Sequence, residues 1–530
     1  MTAALVPTAA AAASAYSTSP GAVVPSSSDE KTSSEADSVA SKGKAESTTL
    51  IPWQYKGPVL ALVIFFEFAV YWNNGLSSIK ATIKQELGVN NSQYGVISSS
   101  QSLINSVVPF ITGALLDYYG AESCSVIASS FVTVGYFIAA IAATKNSYPG
   151  LVVGEVFAGF GDITVRTVMI KISAHWFKGS HLGLALGLAI GVQRAIGVVS
   201  KATAAPIAHH SGYHMFFWIS FIFQAVVLCL NAVYFFFERR VPQEYRAPRG
   251  RTAIASSPGE RRSFKRTLSR FWDSVWLLPA FFWLLICTQI LQNGVVIAFQ
   301  TLSADMYRVI RGASESKAGW ISAVGQIPVI ILTPLTGVFF DHIGYRVHFI
   351  ALSAIGWIII FCLLAYTELN AIAITMLQSL PYTINLIPLQ TVIALSVSST
   401  QQGSAQGAYQ ALVNSGTVLV NVAAGAIQDG TPKGTGNYSR VLIFLLAIKA
   451  WDVVAGALYC VLDITSLDRI LSRSNKKQRE YDDKVAAGEL PEKETPLLEP
   501  RRSWTTIALG IMAAQLVAAW VVYIKYSIGS

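Results

Sequence analysis

Four charged side chains sit inside long apolar runs: Glu67, Asp162, Arg166 and Arg194. Ionisable groups inside a bilayer are costly, and they mark solute or ion pathways. An arginine fork can grip a carboxylate through two parallel hydrogen bonds. A carboxylate is the natural partner of a free amino group. Both kinds together suit a small solute that carries both charges. Glu67, Asp162 and Arg194 each fall near the middle of their runs, so three charges on three helices share one depth. Glu155, Asp162 and Arg166 are spaced seven and four apart, which places them on one helix face. Asp162 and Arg166 are an i,i+4 pair that could neutralise itself. Without solute, Asp162 is expected to pair with Arg194 or Arg166, or to take up a proton. The plainer reading is a set of structural ion pairs, Glu67 with Arg194 or Asp162 with Arg166.

The runs that carry these residues dominate the chain. Of 530 residues, 52% are apolar and only 13% charged, and the net charge is +9. A soluble protein of this size carries about 25% charged residues. A soluble enzyme, a secreted disulfide scaffold and a disordered protein are excluded. The apolar runs read as spans at 57–79, 93–117, 123–143, 149–176, 181–204, 214–237, 276–301, 316–340, 346–366, 370–396, 403–428 and 440–463, with a thirteenth at 503–524. The loop 238–270 holds ten Lys or Arg against three Glu, which puts it in the cytoplasm. The sequons at Asn90 and Asn437 fall on the opposite side, where glycosylation is possible. The predicted organisation is a disordered cytoplasmic tail (1–54), a six-helix half (55–238), a basic cytoplasmic loop (239–272), a second six-helix half (273–464), a polar cytoplasmic linker (465–502) and an additional transmembrane helix (503–524).

The two halves are repeats. Gly113-Ala-Leu-Leu-Asp117-Tyr-Tyr-Gly120 returns as Gly337-Val-Phe-Phe-Asp341-His-Ile-Gly344, at an offset of 341 − 117 = 224. Gly179-Ser-His-Leu-Gly183 returns as Gly403-Ser-Ala-Gln-Gly407, again at 403 − 179 = 224. The same offset takes Glu67, Glu155, Asp162 and Arg194 to Leu291, Ser379, Leu386 and Val418, none of them charged. The first half therefore supplies the charge. The second offers neutral polar groups: Gln289, Gln292, Asn293, Tyr382, Asn385, Gln410 and Asn414.

The Gly-x-x-x-Asp-x-x-Gly motif, the duplicated halves and the basic central loop resemble the major facilitator superfamily over residues 57–464. The resemblance implies an all-α membrane fold of two six-helix halves that move solute by alternating access. It implies a latch between the halves at Asp117, Asp341 and Arg346. Within that superfamily, Trp176-Phe177-Lys178-Gly179, Gly187, Arg194-Ala-Ile-Gly197 and Gly403-Ser-Ala-Gln-Gly407-Ala-Tyr-Gln410 through Asn414-Ser-Gly416 resemble the lysosomal dipeptide transporter group. That resemblance implies dipeptide export from an acidic organelle through an acidic residue on the fourth helix and an Arg on the fifth. Arg194 matches the Arg. Asp162 adjoins the position of the acid, which Ile163 occupies. A transporter of organic anions such as monocarboxylates, or a nutrient receptor on the same fold, remains the alternative.

Other features read as structure. The sequence has no HExxH, P-loop or GxSxG, so no enzyme activity, metal or cofactor is expected. The expected partners are a small solute and the bilayer, not nucleic acid, with an accessory membrane protein left open. Five scattered cysteines read as packing residues. Lys449 and Asp452 should pair within their helix, and Lys171 and Lys201 should snorkel to the membrane faces. Gly183, Gly187 and Gly191 should let the fifth helix pack closely, and Pro381 and Pro388 should kink the tenth. Glu494 with Leu497 and Leu498 resembles an acidic dileucine sorting signal. Together with the family resemblance it favours a vacuolar or lysosomal membrane over the plasma membrane.

Overall fold

The computed structural model describes residues 52–177, 182–246, 269, 272–397, 402–431, 436–474, 477, 478, 480, 481, 484 and 497–528. Thirteen helical spans organise them. They are α1 (Trp53–Leu87), α2 (Asn91–Asn105 and Pro109–Tyr119), α3 (Ala121–Thr144), α4 (Tyr148–Trp176), α5 (Leu182–Ser211), α6 (His214–Arg240), α7 (Ala280–Arg311), α8 (Glu315–Val324 and Ile327–Ile343), α9 (Arg346–Tyr366), α10 (Ala371–Leu377 and Ser379–Ser396), α11 (Gln402–Asp429), α12 (Gly436–Thr465) and α13 (Arg502–Ile528). Eleven are long and apolar enough to cross a membrane. The other two are α2, broken between its pieces, and α4, which carries Glu155, Asp162, Arg166 and Lys171. α4 packs inside the first half, against α3 and α2, and α2 lies between α4 and α11 of the second half.

Each half buries its own apolar core. One cluster of the first half gathers Trp72, Ile79, Tyr94, Ile97, Ala204 and Phe216. In the second half Phe299, Trp357, Phe361 and Tyr438 share another. The halves meet along four seams, α1 with α7 and with α8, α2 with α11, and α5 with α8.

Several helices are interrupted, and one pair of interruptions obeys the repeat. α1 breaks between Trp53–Val63 and Phe68–Trp72, with Glu67 at φ −103° and ψ 13°. α7 breaks between Ala280–Thr288 and Gln292–Arg311, with Leu291 at φ −95° and ψ −12°. The offset between Glu67 and Leu291 is again 291 − 67 = 224. Beyond Trp72, α1 runs as a 3-10 helix over Asn73–Ile79. Side chains satisfy its loosened carbonyls: Ser200 Oγ donates to Trp72 O, and Tyr94 Oη to Leu76 O at 3.1 Å. α10 breaks at Gln378, one turn before Pro381. The final glycines of the two Gly-x-x-x-Asp-x-x-Gly copies, Gly120 and Gly344, take φ +89° and +77°, which a side chain would strain. The side chains of Asp117, Asp341 and Asn437, the packing around Gly183, and Glu494 lie outside what the structure describes.

Two packing expectations are corrected. Ideal Cβ atoms on Gly187 and Gly191 would meet nothing within 4 Å, so these glycines face open space and not a helix partner. Lys201 is buried, and its Nζ donates to Gln300 O and Ser322 Oγ of the second half, each at 3.2 Å. It ties the halves together and does not snorkel.

α13 lies over the α2–α11 seam. Gln515 Nε2 donates to Leu412 O at 3.0 Å, and Tyr523 Oη bonds Ser100 Oγ of the first half at 2.7 Å. Just before α13, Leu497 O accepts from Phe281 N at 2.9 Å and Glu499 O from Ala280 N at 3.2 Å. Leu497 and Leu498 are half-buried against the core beside α7.

The seam is closest at the end away from the basic loop, here the far end. A Cβ on Gly425 of α11 would stand 2.5 Å from Asn91 O and 2.8 Å from Ser92 Cα, both on the backbone of α2. Gly425→Ala is therefore expected to wedge α2 from α11. Overpacking of this kind costs about 1–3 kcal/mol, and thermal melts of the purified variant should show a lower midpoint. An unchanged melt would mean that α2 and α11 part freely at that point.

Candidate functional site

The charged residues gather in one cluster, but not in the expected pairs. Glu67, at the break of α1, is 1% exposed. Its Oε1 accepts from Arg166 Nε at 3.2 Å. Arg166 thus reaches across to α1 and does not fold back on Asp162 one turn away. The reason is burial: a carboxylate removed from water needs a charged partner, and Glu67 is the more deeply buried acid. The Arg166 guanidinium also lies 6.0 Å from the Tyr71 ring.

Asp162 is 7% exposed and has no arginine partner. Its Oδ2 accepts from Asn105 Nδ2 at 2.7 Å, while its Oδ1 is buried without a hydrogen bond. The expected pairing of Asp162 with Arg194 or Arg166 is therefore not formed. Glu155, on the same face, accepts from Gln101 Nε2 at 2.7 Å and from Asn73 Nδ2 at 3.2 and 3.4 Å.

Arg194 meets only neutral groups from the second half. Its Nη2 donates to Tyr382 Oη at 2.9 Å and its Nη1 to Gln326 Oε1 at 3.4 Å, with the guanidinium 5.5 Å from the Tyr382 ring. Tyr71 lies within electrostatic reach of both Arg166 and Arg194, so the two arginines belong to one polar cluster. Gly187, Gly191 and Arg194 follow spacings of four and three on α5 and share one face. An added Cβ at either glycine would meet nothing within 4 Å, so this face is open beside Arg194.

The neutral residues divide. Tyr382 reaches Arg194. Asn414 Nδ2 donates to Gln410 O at 2.8 Å and across the seam to Asn105 O at 3.4 Å. Gln292 is turned away, donating to Ile448 O of α12 at 3.0 Å. Gln289 joins the buried Lys449–Asp452 pair, which forms at 3.0 Å as expected, by donating to Asp452 Oδ1 at 2.8 Å. Asn293, Asn385 and Gln410 are half-buried, and among the described residues they make no side-chain hydrogen bond to the charged cluster. Sequence reasoning missed Asn105 and Gln326, whose neutral amides give no signal in an apolar run.

A second cluster closes the far end. Lys80, 1% exposed, contacts Asp305 Oδ2 at 3.1 Å and donates to Gln428 Oε1 at 2.9 Å and Tyr438 Oη at 3.2 Å. Tyr438 Oη donates to Asp305, which also takes Arg308 at 2.9 and 3.0 Å. Nearby, Asp429 caps α2 by accepting from Asn91 N at 2.9 Å and Ser92 N at 2.8 Å. Glu315 takes Thr82 Oγ1 at 2.7 Å and lies 3.5 Å from His209. A cleft of about 400 Å3 lies above this lock, lined by Lys84, Asn90, Arg308 and Asp429.

Two further sequence candidates, Asn90 and Arg346, make these contacts. Asn90 caps α2 through Gln93 N at 2.7 Å, with Gln93 Oε1 accepting in return from Asn90 N at 3.0 Å. The Ser92 of its sequon is buried and bonds Asp429. Arg346 is buried, and its Nη1 donates to Arg473 O at 2.8 Å, beyond α12 and within the same half. The five cysteines are free, and among the described residues no three His, Cys, Asp or Glu side chains gather as a metal site.

Comparison with known proteins gives one consistent result. Residues 60–309 and 291–524 match the family model described as Major Facilitator Superfamily. The lysosomal dipeptide transporter MFSD1 of Danio rerio is 24% identical over 421 residues, covering 76% of this chain and 86% of its own. The Homo sapiens protein of that name is 23% identical over 383 residues, covering 70% and 79%. Among solved structures, a variant of the peptide transporter POT in complex with sulfate superposes with a TM-score of 0.60 at 11% identity, covering 78% of this chain and 96% of its own. A variant of the nucleoside transporter NupG gives 0.55 at 14% identity, covering 76% and 98%.

Proposed function

The chain belongs to the major facilitator superfamily, and we propose that it carries small zwitterions, dipeptides above all, across a lysosomal or vacuolar membrane by alternating access. One observation carries this reading. The cluster holds an arginine with only neutral partners and a carboxylate with no cation, Arg194 and Asp162. A solute with a carboxylate at one end and an ammonium at the other completes both. The names of the MFSD1 relatives support the substrate class and the compartment. Glu67 and Arg166 neutralise each other and shape the wall. Solute reaches the cluster from the cytoplasmic side in this conformation. Parting the Lys80–Asp305 lock would admit it from the lumen.

The test is flux into proteoliposomes with a panel of dipeptides, amino acids, sugars and monocarboxylates. Dipeptide flux is the expected result, and flux of carboxylates alone would replace this reading with an anion transporter. Binding without flux would indicate a receptor. Asp162→Asn keeps the shape and removes the charge, so it should cut dipeptide transport at least about tenfold, the scale of one charged hydrogen bond. Detergent monodispersity should be unchanged. Intact transport with only a lowered melting midpoint would make Asp162 a structural acid.

A further inference from the structure

We propose that Asn105 forms, with Asp162, the seat of the solute's ammonium group, and that this residue sets the preference for a free amine over an acylated one. The inference rests on the zwitterion reading above and adds a residue that no sequence signal marks.

Asn105 ends the first piece of α2, and beyond it the helix loosens: Ser106 N bonds Leu103 O at 3.3 Å and Val107 N bonds Ile104 O at 3.0 Å. The break presents the side chain of a residue that is only 5% exposed. Its Nδ2 donates to Asp162 Oδ2 at 2.7 Å. That bond fixes the amide orientation, because the flipped amide would set its oxygen against a carboxylate oxygen. Two oxygens are then left over, Asn105 Oδ1 and Asp162 Oδ1, both buried and both without a hydrogen bond.

Buried acceptors without donors are rare, and two in one hydrogen-bonded pair point to a ligand that brings donors. A primary ammonium brings three N–H groups and a positive charge. The charge has one place to go. Glu67 is paired with Arg166, and Glu155 is held by the amides of Asn73 and Gln101. Asp162 is held by one amide, that of Asn105, and of the three acids it keeps a buried oxygen without a hydrogen bond. An N-acylated solute offers one neutral N–H and brings a carbonyl oxygen toward two acceptors, so the seat rejects it. The backbone oxygen of Asn105 meanwhile accepts from Asn414 on α11 at 3.4 Å, so the seat also touches the second half.

The experiment compares alanyl-alanine with N-acetyl-alanyl-alanine on the full chain, by calorimetric binding in nanodiscs. The wild type should prefer the free amine by about tenfold to a hundredfold, the worth of a charged hydrogen bond. Asn105→Leu removes both polar atoms and should bring the ratio close to one. Asn105→Asp keeps an acceptor and should keep the preference. Asn105→Ala repeats the leucine test should the larger side chain disturb the α2 break. An unchanged ratio in the leucine and alanine variants would overturn the role of Asn105 and leave the zwitterion reading standing. Collapse of the ratio in the aspartate variant as well would make Asn105 only a prop for Asp162. A wild type that binds neither peptide, or both equally, would overturn the seat and the zwitterion reading together.

Discussion

Arg194→Lys should leave the protein folded in its membrane and remove about nine-tenths or more of its dipeptide transport, the loss of one charged hydrogen bond or more. The argument is geometric. Tyr382 and Gln326 hold the guanidinium by single bonds, at 2.9 and 3.4 Å. No carboxylate neutralises it, so its charge and its remaining N–H groups stay available. A planar fork meets both oxygens of a carboxylate at once. A lysine ammonium supplies the charge but not the fork, and it lacks the flat face that Arg194 presents to the Tyr382 ring. Counterflow of labelled dipeptide in proteoliposomes measures the effect. Wild-type uptake in the lysine variant would sink the assignment of Arg194 to the solute carboxylate.

Asp305→Asn should shift the protein toward a lumen-open state by a large factor. The lock sits between the halves, with Lys80 on α1, Asp305 on α7, Gln428 on α11 and Tyr438 at the start of α12. Removing one partner of a buried ion pair leaves the other charge uncompensated, at a cost of about 3–5 kcal/mol. The cost falls on the closed state alone, because opening the seam gives Lys80 back to water. Such a bias corresponds to roughly a hundredfold to a few thousandfold in the equilibrium. A cysteine at Ser78, now 2% exposed in the α1–α8 contact, reports it through alkylation by an impermeant maleimide from the lumenal side. Labelling should rise sharply in Asp305→Asn. It should fall back when Lys80→Gln is added, since a neutral pair no longer strands a charge. Equal labelling of wild type and Asp305→Asn would show that the lock does not govern opening.

The backbone plan of this protein is legible in its sequence because hydrocarbon demands it. A span needs about 20 apolar residues, and duplicated motifs expose the two halves. Grouping was legible too: Glu67, Asp162 and Arg194 belong to one polar cluster. Pairing was not. Helical spacing sets Asp162 beside Arg166 on one face, but a long side chain can leave its own helix, and deeper burial at Glu67 wins it. The lock could not be read, since Lys80 and Asp305 each look like a lone charge near a span end until the halves are assembled. Lys201 misleads for the same reason, because snorkelling assumes lipid where the fold places α8. Gly187 and Gly191 have the spacing of a packing motif, yet spacing does not say whether the facing side holds a helix or a cavity.

The interruptions at Glu67 and Leu291 have a mechanical consequence. An intact helix resists bending because every turn is tied by hydrogen bonds to the next. In α1 and α7 the regular ladder gives way at one equivalent point each to tighter bonds, Phe66 N to Val63 O and Gln292 N to Gln289 O, both at 3.2 Å. Bending stiffness is therefore lowest there, in a matched pair of positions related by the internal repeat. Bending at these two points would move the far-end pieces that carry Lys80 and Asp305, and with them the lock, relative to the Glu67–Arg166 pair. Compliance at the fulcrum and rigidity in the levers let the same small set of side chains face one compartment and then the other.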